Sequence, residues 1–511
     1  MNTAEEFLKK KDLFQLGVLP TEQAHPLTKE LSQWAHHDLE HAYKVLREID
    51  IKAIRRVYEM KKELSPLFNA VAETLDQGGR IYLVGCGATG RLSLSLEFLW
   101  KAKGINGDRV VSLMAGGDVA LVHSLEGFED FPEYGARHLR QLGFKDNDLL
   151  IATTEGGETP YVIGATEEAA RISKRAPYFL YCNPDEILKT HVNRSKRVLE
   201  DTRIKSICLF VGPMALSGST RMQASTVLML AVGMALEYGF EVDTAFAKLQ
   251  EWIYFLSQSS ASGLKPFTIQ ESETYKKGNC SIYSVSDMAI TVFTDTTERA
   301  PTFNLAPFDN SKMLTDRHSL TYVMIPKSKS VSESWNSLLN RQPRVLDWPE
   351  IHTKTTLDYL EGFDFSESAL KFRKQILPNV EHQFFSVEKL NSQLVLGFCG
   401  EQDHFELANL PSLFDHLTLK LLLNMHSTLL MGRLDRYRGN LMTWVYPSNG
   451  KLVDRAARYS QIILQEMGVS NVGYDDVVRA QYECKKSLSP KESIVLKTVE
   501  MLMGKSIDFR E

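Results

Sequence analysis

Arg80–Leu92 reads RIYLVGCGATGRL, and few segments of the chain constrain a fold as tightly. A β-branched, apolar run, Ile81–Val84, meets Gly85, Gly87 and Gly90, and good helix formers come next. This is a strand, a glycine-rich turn and a helix start. Backbone N–H groups at such a turn face a crevice, and the helix dipole adds partial positive charge there. Glycines let an anion approach the backbone, and the Thr89 hydroxyl can donate to it. The glycine spacing matches the dinucleotide pattern G-x-G-x-x-G literally, but a lone match is weak. No acidic residue closes the next strand for a ribose, because Arg109–Ala115 runs into Gly116–Gly117. The segment therefore favours a sugar phosphate over a nucleotide.

Beyond residue 80 the same pattern recurs. Predicted strands are Ile81–Val84, Val110–Met114, Leu149–Thr153, Tyr178–Tyr181 and Ser206–Val211, with helices between them and a long helix over Thr220–Tyr238. The alternation predicts a parallel sheet covered on both faces, with ligands at the carboxyl ends of its strands. Upstream, residues 29–76 carry helical periodicity, punctuated by Pro26 and Pro66. Downstream, the chain turns polar near 260–280. A second series then starts, with strands expected at Ser281–Val285, Thr321–Ile325 and Leu394–Phe398 and a long helix from Leu413 to Arg433. The fold class expected is thus α/β: a helical segment over 1–76 and two three-layer α/β/α domains with parallel sheets, 77–262 and a diverged 263–511 ending in a short helical tail. At 511 residues the chain is too long for one ordinary core. A net charge of −5 gives no electrostatic case for nucleic acid. The N-terminus lacks the apolar core of a signal peptide, and no window approaches a membrane span. Six scattered cysteines without C-x-x-C spacing read as reduced thiols of a cytoplasmic protein.

Three further segments carry reactive side chains. SLEGFED (Ser124–Asp130) crowds Glu126, Glu129 and Asp130, which periodicity alone reads as a solvated helix face. TTEGGETP (Thr153–Pro160) is either a second ligand loop or a helix start with Thr159 as N-cap; Glu155 and Glu158 speak against phosphate there and for sugar hydroxyls. LSGSTR (Leu216–Arg221) offers Ser219 or Thr220 as an N-cap.

Taken in order, these segments resemble the N-acetylmuramic acid 6-phosphate etherase family and its relative, the glucokinase regulatory protein, both built from sugar-isomerase (SIS) domains. TEQAHPLTKEL (Thr21–Leu31) resembles the etherases' TE-x-x-N-P-x-T, with His25 for the asparagine. GCGATGRL resembles G-A-G-T-S-G-R-L, AGGDVALVHSLEGFED resembles A-G-G-x-x-A-L-x-x-A-V-E-G-A-E-D, and EGGETPYVIGA, YCNP and GPMALSGSTRM also follow the family. The etherases' D-A-S-E-C-P-P-T-F is absent after GRL: Leu99 stands at its glutamate, and Glu97 lies two positions early. The motif occurs instead in the second half as DTTERAPTF (Asp295–Phe303), which places Glu298 on the family glutamate. Likewise the first half keeps GSTR but has Met229 at the family lysine. The second half keeps KLLLNMHST (Lys420–Thr428) and YRGNLM (Tyr437–Met442), while its own phosphate loop is reduced to SVSDM (Ser284–Met288). An echo of LEGFED, LEGFDF at Leu360–Phe365, sits too far along to be a true repeat.

In this family, sites form where two SIS domains meet. Complementary loss therefore implies a pseudo-dimer within one chain, with one complete and one decayed site, and leaves room for further oligomerisation. The resemblance assigns catalysis to Glu126 and Glu298. It assigns sugar 6-phosphate binding to Gly87, Ala88, Thr89, Gly90, Thr154, Glu155, Thr159, Ser219 and Lys420. No metal, cofactor, nucleic acid or membrane partner is implied. The implied reaction belongs to amino-sugar metabolism and peptidoglycan recycling: cleavage of the D-lactyl ether of N-acetylmuramic acid 6-phosphate to N-acetylglucosamine 6-phosphate and D-lactate. Two alternatives share the architecture. One is a non-catalytic sugar-phosphate-binding regulator, against which EGGETPYVIGA and the short tail after residue 480 speak; the other is an SIS isomerase, which would not explain TERAPTF.

Overall fold

The computed structural model describes residues 3–14, 16–104, 107–125 and 127–507. Five strands of the first half, β1 (Ile81–Gly85), β2 (Val110–Met114), β3 (Leu149–Thr153), β4 (Tyr178–Tyr181) and β5 (Lys205–Cys208), form a parallel sheet in the order β2-β1-β3-β4-β5. Every residue of β1, β2 and β3 is buried, as both-face coverage requires. Strand β5 stops short of Val211: its last bond to β4 runs from the Leu209 N–H to the Tyr181 carbonyl at 2.6 Å, and the chain then leaves the sheet. The helix expected from Thr220 starts at Gln223, and Pro66 sits within the helix Lys61–Asp76 rather than ending it.

The second half has the same spatial order with a different wiring. Its strands β6 (Cys280–Val285), β7 (Thr321–Met324), β8 (His382–Leu390), β9 (Gln393–Phe398) and β10 (Glu401–Glu406) run β10-β9-β8-β6-β7. The β6 pairings are parallel, whereas β8–β9 and β9–β10 are antiparallel, so this sheet is mixed. Strands β8 and β10 carry no expectation from the sequence. Two tight hairpins replace the crossover helices: Asn391 takes φ 54° in the first, and Cys399 and Gly400 take φ 51° and 85° in the second. Positive φ at both central residues suits a two-residue hairpin. Consequently no loop-to-helix crossover follows β8, where the first half has Thr154–Thr159.

One hydrophobic core runs through both halves, and the helix Leu39–Glu59 packs against helices of each, including Gln223–Tyr238 and Ser412–Arg433. A second core under the first sheet takes Leu346 and Trp348 from the second half. That strap is pinned by charge. Arg341 and Arg344 both reach Glu97, and Arg341 also grips Asp118. Glu97, displaced by two positions from the family glutamate, is thus a buried anchor. The C-terminal part is more than a short tail: helices Gly450–Glu466, Tyr474–Lys486 and Ile494–Met503 pack together and back onto the N-terminal residues. Among the described residues no helix is long and apolar enough to cross a membrane.

Candidate functional site

The carboxyl ends of β1, β2 and β3 open into a cleft of about 360 Å³ with walls from both halves. Its first wall is the glycine-rich turn, where the three glycines play three different parts. Gly87 caps the helix Ala88–Ala102 at φ 55°, ψ −123°, a conformation only glycine adopts readily, and a Cβ there would meet nothing within 4 Å. A Cβ on Gly85 would fall 2.3 Å from the Thr89 backbone, and one on Gly90 2.4 Å from the Met114 side chain. Gly87 and Ala88 line the cleft, whereas Gly90 serves helix–strand packing. Thr89, expected to hold a phosphate, spends its hydroxyl inside the turn. It donates to the Cys86 carbonyl and accepts the Cys86 N–H, both at 2.9 Å. The anion-binding capacity of this wall is therefore backbone N–H and helix terminus.

The second wall is the Thr153–Thr159 loop. Glu155 and Thr159 line the cleft. Thr154 lies behind it, its hydroxyl 3.0 Å from that of Thr159, and Thr159 heads its helix without a side-chain capping bond. Glu155 accepts from the Ser225 hydroxyl at 2.8 Å, and burial pushes its carboxyl up to about 7. Nearby, burial and the neighbouring Glu129 and Glu158 carboxylates raise Asp130 to about 6. The described part of SLEGFED is not a helix face: Phe128–Asp130 form a short turn with Phe128 buried, and Ser124, Leu125 and Gly127 line the cleft. Glu126 itself lies outside the described residues.

The third wall is LSGSTR. Neither Ser219 nor Thr220 caps the following helix, whose N-cap is Met222. Ser219 is 3 % exposed, lines the cleft, and its Oγ has no hydrogen-bond partner among the described residues. A buried hydroxyl without a partner marks a place where a polar ligand atom is wanted. Arg221 holds this loop to the second half through Asp295 (3.0 Å), Ser427 (3.2 Å) and Thr428 (2.9 Å).

From the second half comes Glu298, at the cleft surface on the helix Ala289–Phe303. Its Oε1 accepts from Arg91 of the first half, which also donates to Thr297 and to the carbonyls of Ala120 and Leu121. Lys420, by contrast, does not line this cleft. It is buried behind the wall, donating at 2.8 Å to the Arg221 carbonyl, Thr226 and Asn424, and burial lowers its pKa to about 8. Its place explains the divided motifs. GSTR survives in one half, and DTTERAPTF and KLLLNMHST in the other, because Arg221 touches Asp295, Ser427 and Thr428, while Asn424 donates to Asp295 at 2.9 Å.

The fourth wall has no counterpart among the residues expected from the sequence. Asn449 caps the helix Gly450–Glu466, accepting the Leu452 N–H at 3.0 Å, and Asn449, Lys451 and Arg455 line the cleft. A second helix N-terminus thus opens on the same space. Lys451 pairs with Glu158 at 3.0 Å, and against the upward push of burial, Lys451 and Arg194 hold Glu158 down to about 2. Arg455 grips Glu22 through two bonds of 2.8 and 2.6 Å. The N-terminal motif thereby braces the third wall, since the Thr21 carbonyl accepts the Gly218 N–H at 3.2 Å and the Glu22 carbonyl accepts the Ser217 hydroxyl at 2.8 Å. His25 caps the short turn Pro26–Thr28, its Nδ1 accepting the Leu27 N–H at 3.1 Å. An Asn-Gly-Lys helix start was the available signal for the fourth wall.

Burial keeps two reactive-looking side chains nearby in their uncharged forms. Burial and Glu129 push the Cys86 thiol well up, and it donates to Glu129 at 3.1 Å. Burial holds His123 down to about 4, with its Nδ1 2.6 Å from the Tyr359 hydroxyl.

Comparison with known proteins gives this geometry a context. Residues 63–169 match the family described as "Glucokinase regulatory protein N-terminal SIS domain". The N-acetylmuramic acid 6-phosphate etherase of Rippkaea orientalis is 32% identical over 223 residues, covering 43% of this chain and 68% of that protein. The enzyme of the same name from Lactococcus lactis subsp. cremoris is 32% identical over 224 residues, covering 43% of this chain and 70% of that protein. Among solved structures, the tagatose-6-phosphate ketose/aldose isomerase of Escherichia coli is similar with a TM-score of 0.41 and 12% identity, covering 79% of this chain and 94% of that one. With a glycine-turn cleft walled by both halves and relatives of this kind, the chain belongs to the N-acetylmuramic acid 6-phosphate etherase and glucokinase regulatory protein family of SIS-domain proteins.

Proposed function

We propose that the cleft binds a sugar 6-phosphate and cleaves the D-lactyl ether of N-acetylmuramic acid 6-phosphate, adding water to give N-acetylglucosamine 6-phosphate and D-lactate. The observation that carries this reading is the convergence of Glu298 and the Gly87 turn on one cleft from opposite halves. The phosphate sits against the Gly87–Ala88 N–H groups, with the Asn449–Lys451 helix start opposite. Ser219, Glu155 and Thr159 take sugar oxygens. Lys420, with Thr89, Gly90 and Thr154, acts from behind by holding the walls in place.

The reaction needs a ring-opened aldehyde, which acidifies the proton on carbon 2. Removal of that proton and departure of lactate from carbon 3 leave an unsaturated aldehyde, to which water adds at carbon 3. Two carboxyl groups suffice, one as base and one as acid to the leaving oxygen. Glu298 and Glu126 fill these two roles. Arg91 occupies Glu298 Oε1 and leaves Oε2 for chemistry. This activity belongs in the cytoplasm, a setting consistent with six free cysteines.

A second reading, a sugar-phosphate-binding regulator without turnover, is favoured by the match of residues 63–169 to the regulatory-protein domain. Incubation with N-acetylmuramic acid 6-phosphate and a D-lactate assay separates the two. Glu126→Gln and Glu298→Gln should each lower lactate release at least about a hundredfold, the usual scale for a general acid or base, with binding largely kept. Tight binding by the unaltered protein without lactate release would leave the regulator as the function.

A further inference from the structure

A second cavity, of about 310 Å³, lies away from the cleft, between the helix Leu39–Glu59, the end of the helix Val242–Gln258, β10 and the helix Ser412–Arg433. Its walls are mainly apolar, with Ile51, Phe255, Phe405, Leu421, Leu422 and Met425 among them. It shares Arg47, Ile51, Ser260 and Ala261 with an adjoining groove of about 690 Å³. In that groove Lys44, Lys52 and Arg55 join Arg47 along one stripe of the helix.

Arg47 is the informative residue. It is half-buried at the junction of cavity and groove, donates to the Ser259 hydroxyl at 3.1 Å, and has no carboxylate partner among the described residues. A guanidinium half out of water with no paired carboxylate leaves its charge open to an anionic ligand. Among the described residues no nearby carboxylate pairs with it. Glu40 is taken by Lys265 and Ser262, Glu406 accepts from Gln393 at 2.5 Å, and Asp403, on β10, accepts the His404 N–H at 2.8 Å; Glu48 lies in the groove. Asp50, also on the cavity wall, is 4 % exposed; its Oδ1 takes the Gln223 amide at 2.5 Å and its Oδ2 has no partner among the described residues. A cavity of this size with an apolar lining and a few fixed polar groups has the make-up of a small-molecule site.

We propose that this cavity binds an amphipathic organic anion, its apolar body among Ile51, Phe405 and Leu421 and its carboxylate on Arg47. The site is separate from the cleft, and the inference does not rest on the reaction assigned there.

The test uses the full chain and decanoate below its micellar range, followed by titration calorimetry. Saturable binding of one decanoate per chain is expected. Arg47→Met should weaken it at least tenfold. Ser260→Trp, which plugs the exposed junction without touching the core, should do the same with an unchanged melting temperature. Decylamine should bind more weakly than decanoate. Absence of saturable heat, equal decanoate affinity in both variants and the unaltered protein, or tighter binding of decylamine would each overturn the proposal.

Discussion

Removing the Arg91 guanidinium tests the union of the two halves at a buried ion pair beside the cleft. Arg91 is 1 % exposed and binds Glu298, Thr297 and two backbone carbonyls. Arg91→Met keeps the side chain's length but strands a carboxylate at 9 % exposure and two buried carbonyls. Breaking a buried pair from one side costs about 3–5 kcal/mol. Glu298 touches the cleft and its solvent, so the lower end, about 3 kcal/mol, applies. Unfolding entropy near 2.1 cal/mol/K per residue makes the whole 511-residue chain's entropy about 1.1 kcal/mol/K, so the melting temperature should fall by about 3 °C. Adding Glu298→Gln removes the stranded charge, and the double variant should recover at least about 1 kcal/mol of the loss. Differential scanning calorimetry of the four proteins closes the cycle. If the double variant melts no higher than Arg91→Met, with the two single effects simply adding, the pair does not join the halves and the reasoning fails.

The other expectations are briefer. Gly87→Asp should abolish binding of N-acetylglucosamine 6-phosphate in calorimetry, since its carboxylate would project into open cleft; Gly85→Ala, whose Cβ would meet Thr89 backbone at 2.3 Å, should damage the fold itself. Unchanged affinity in Gly87→Asp would put the phosphate elsewhere. One sugar phosphate should bind per chain, because β8 is followed by a hairpin instead of a ligand loop and Asp287 stands in the second turn; two equivalent sites in a titration would refute this. Lys420→Met should weaken that single event indirectly, by freeing the Arg221 carbonyl. Glu155, raised from 4.5 to about 7, binds its proton more tightly in the folded state. Its contribution therefore favours folding at low pH and is lost progressively as pH rises from about 4.5 through 7. Glu155→Gln should flatten the pH dependence of melting over that window and raise stability above pH 7; an unaltered profile would show that Glu155 is not held protonated.

Much of the first half was legible because its strands are buried on both faces and so read as continuous apolar runs. Strand β10, EQDHFE, was not: it is a sheet edge with Phe405 as its one buried residue, and charge is how edges resist pairing. Strand β8 alternates irregularly, since it borders both a parallel and an antiparallel neighbour. Within the site, the motifs do not say which way side chains face. Thr89 turns back on the Cys86 backbone within its own turn, and Lys420 is taken by the Arg221 carbonyl, Thr226 and Asn424, the first two brought near only by folding. Lys451 escaped notice because its partner, Glu158, lies 293 residues away and no local pattern announces such a pair.

Covalent continuity across the cleft has a consequence for behaviour in dilute solution. Walls contributed by two separate polypeptides come apart once concentration falls below their dissociation constant. Here Arg91 and Glu298 belong to one molecule, so their encounter is governed by an effective concentration set by the tether rather than by how much protein is present. The cleft's two walls should therefore stay together however far the sample is diluted, and sugar-phosphate affinity per chain should not depend on protein concentration.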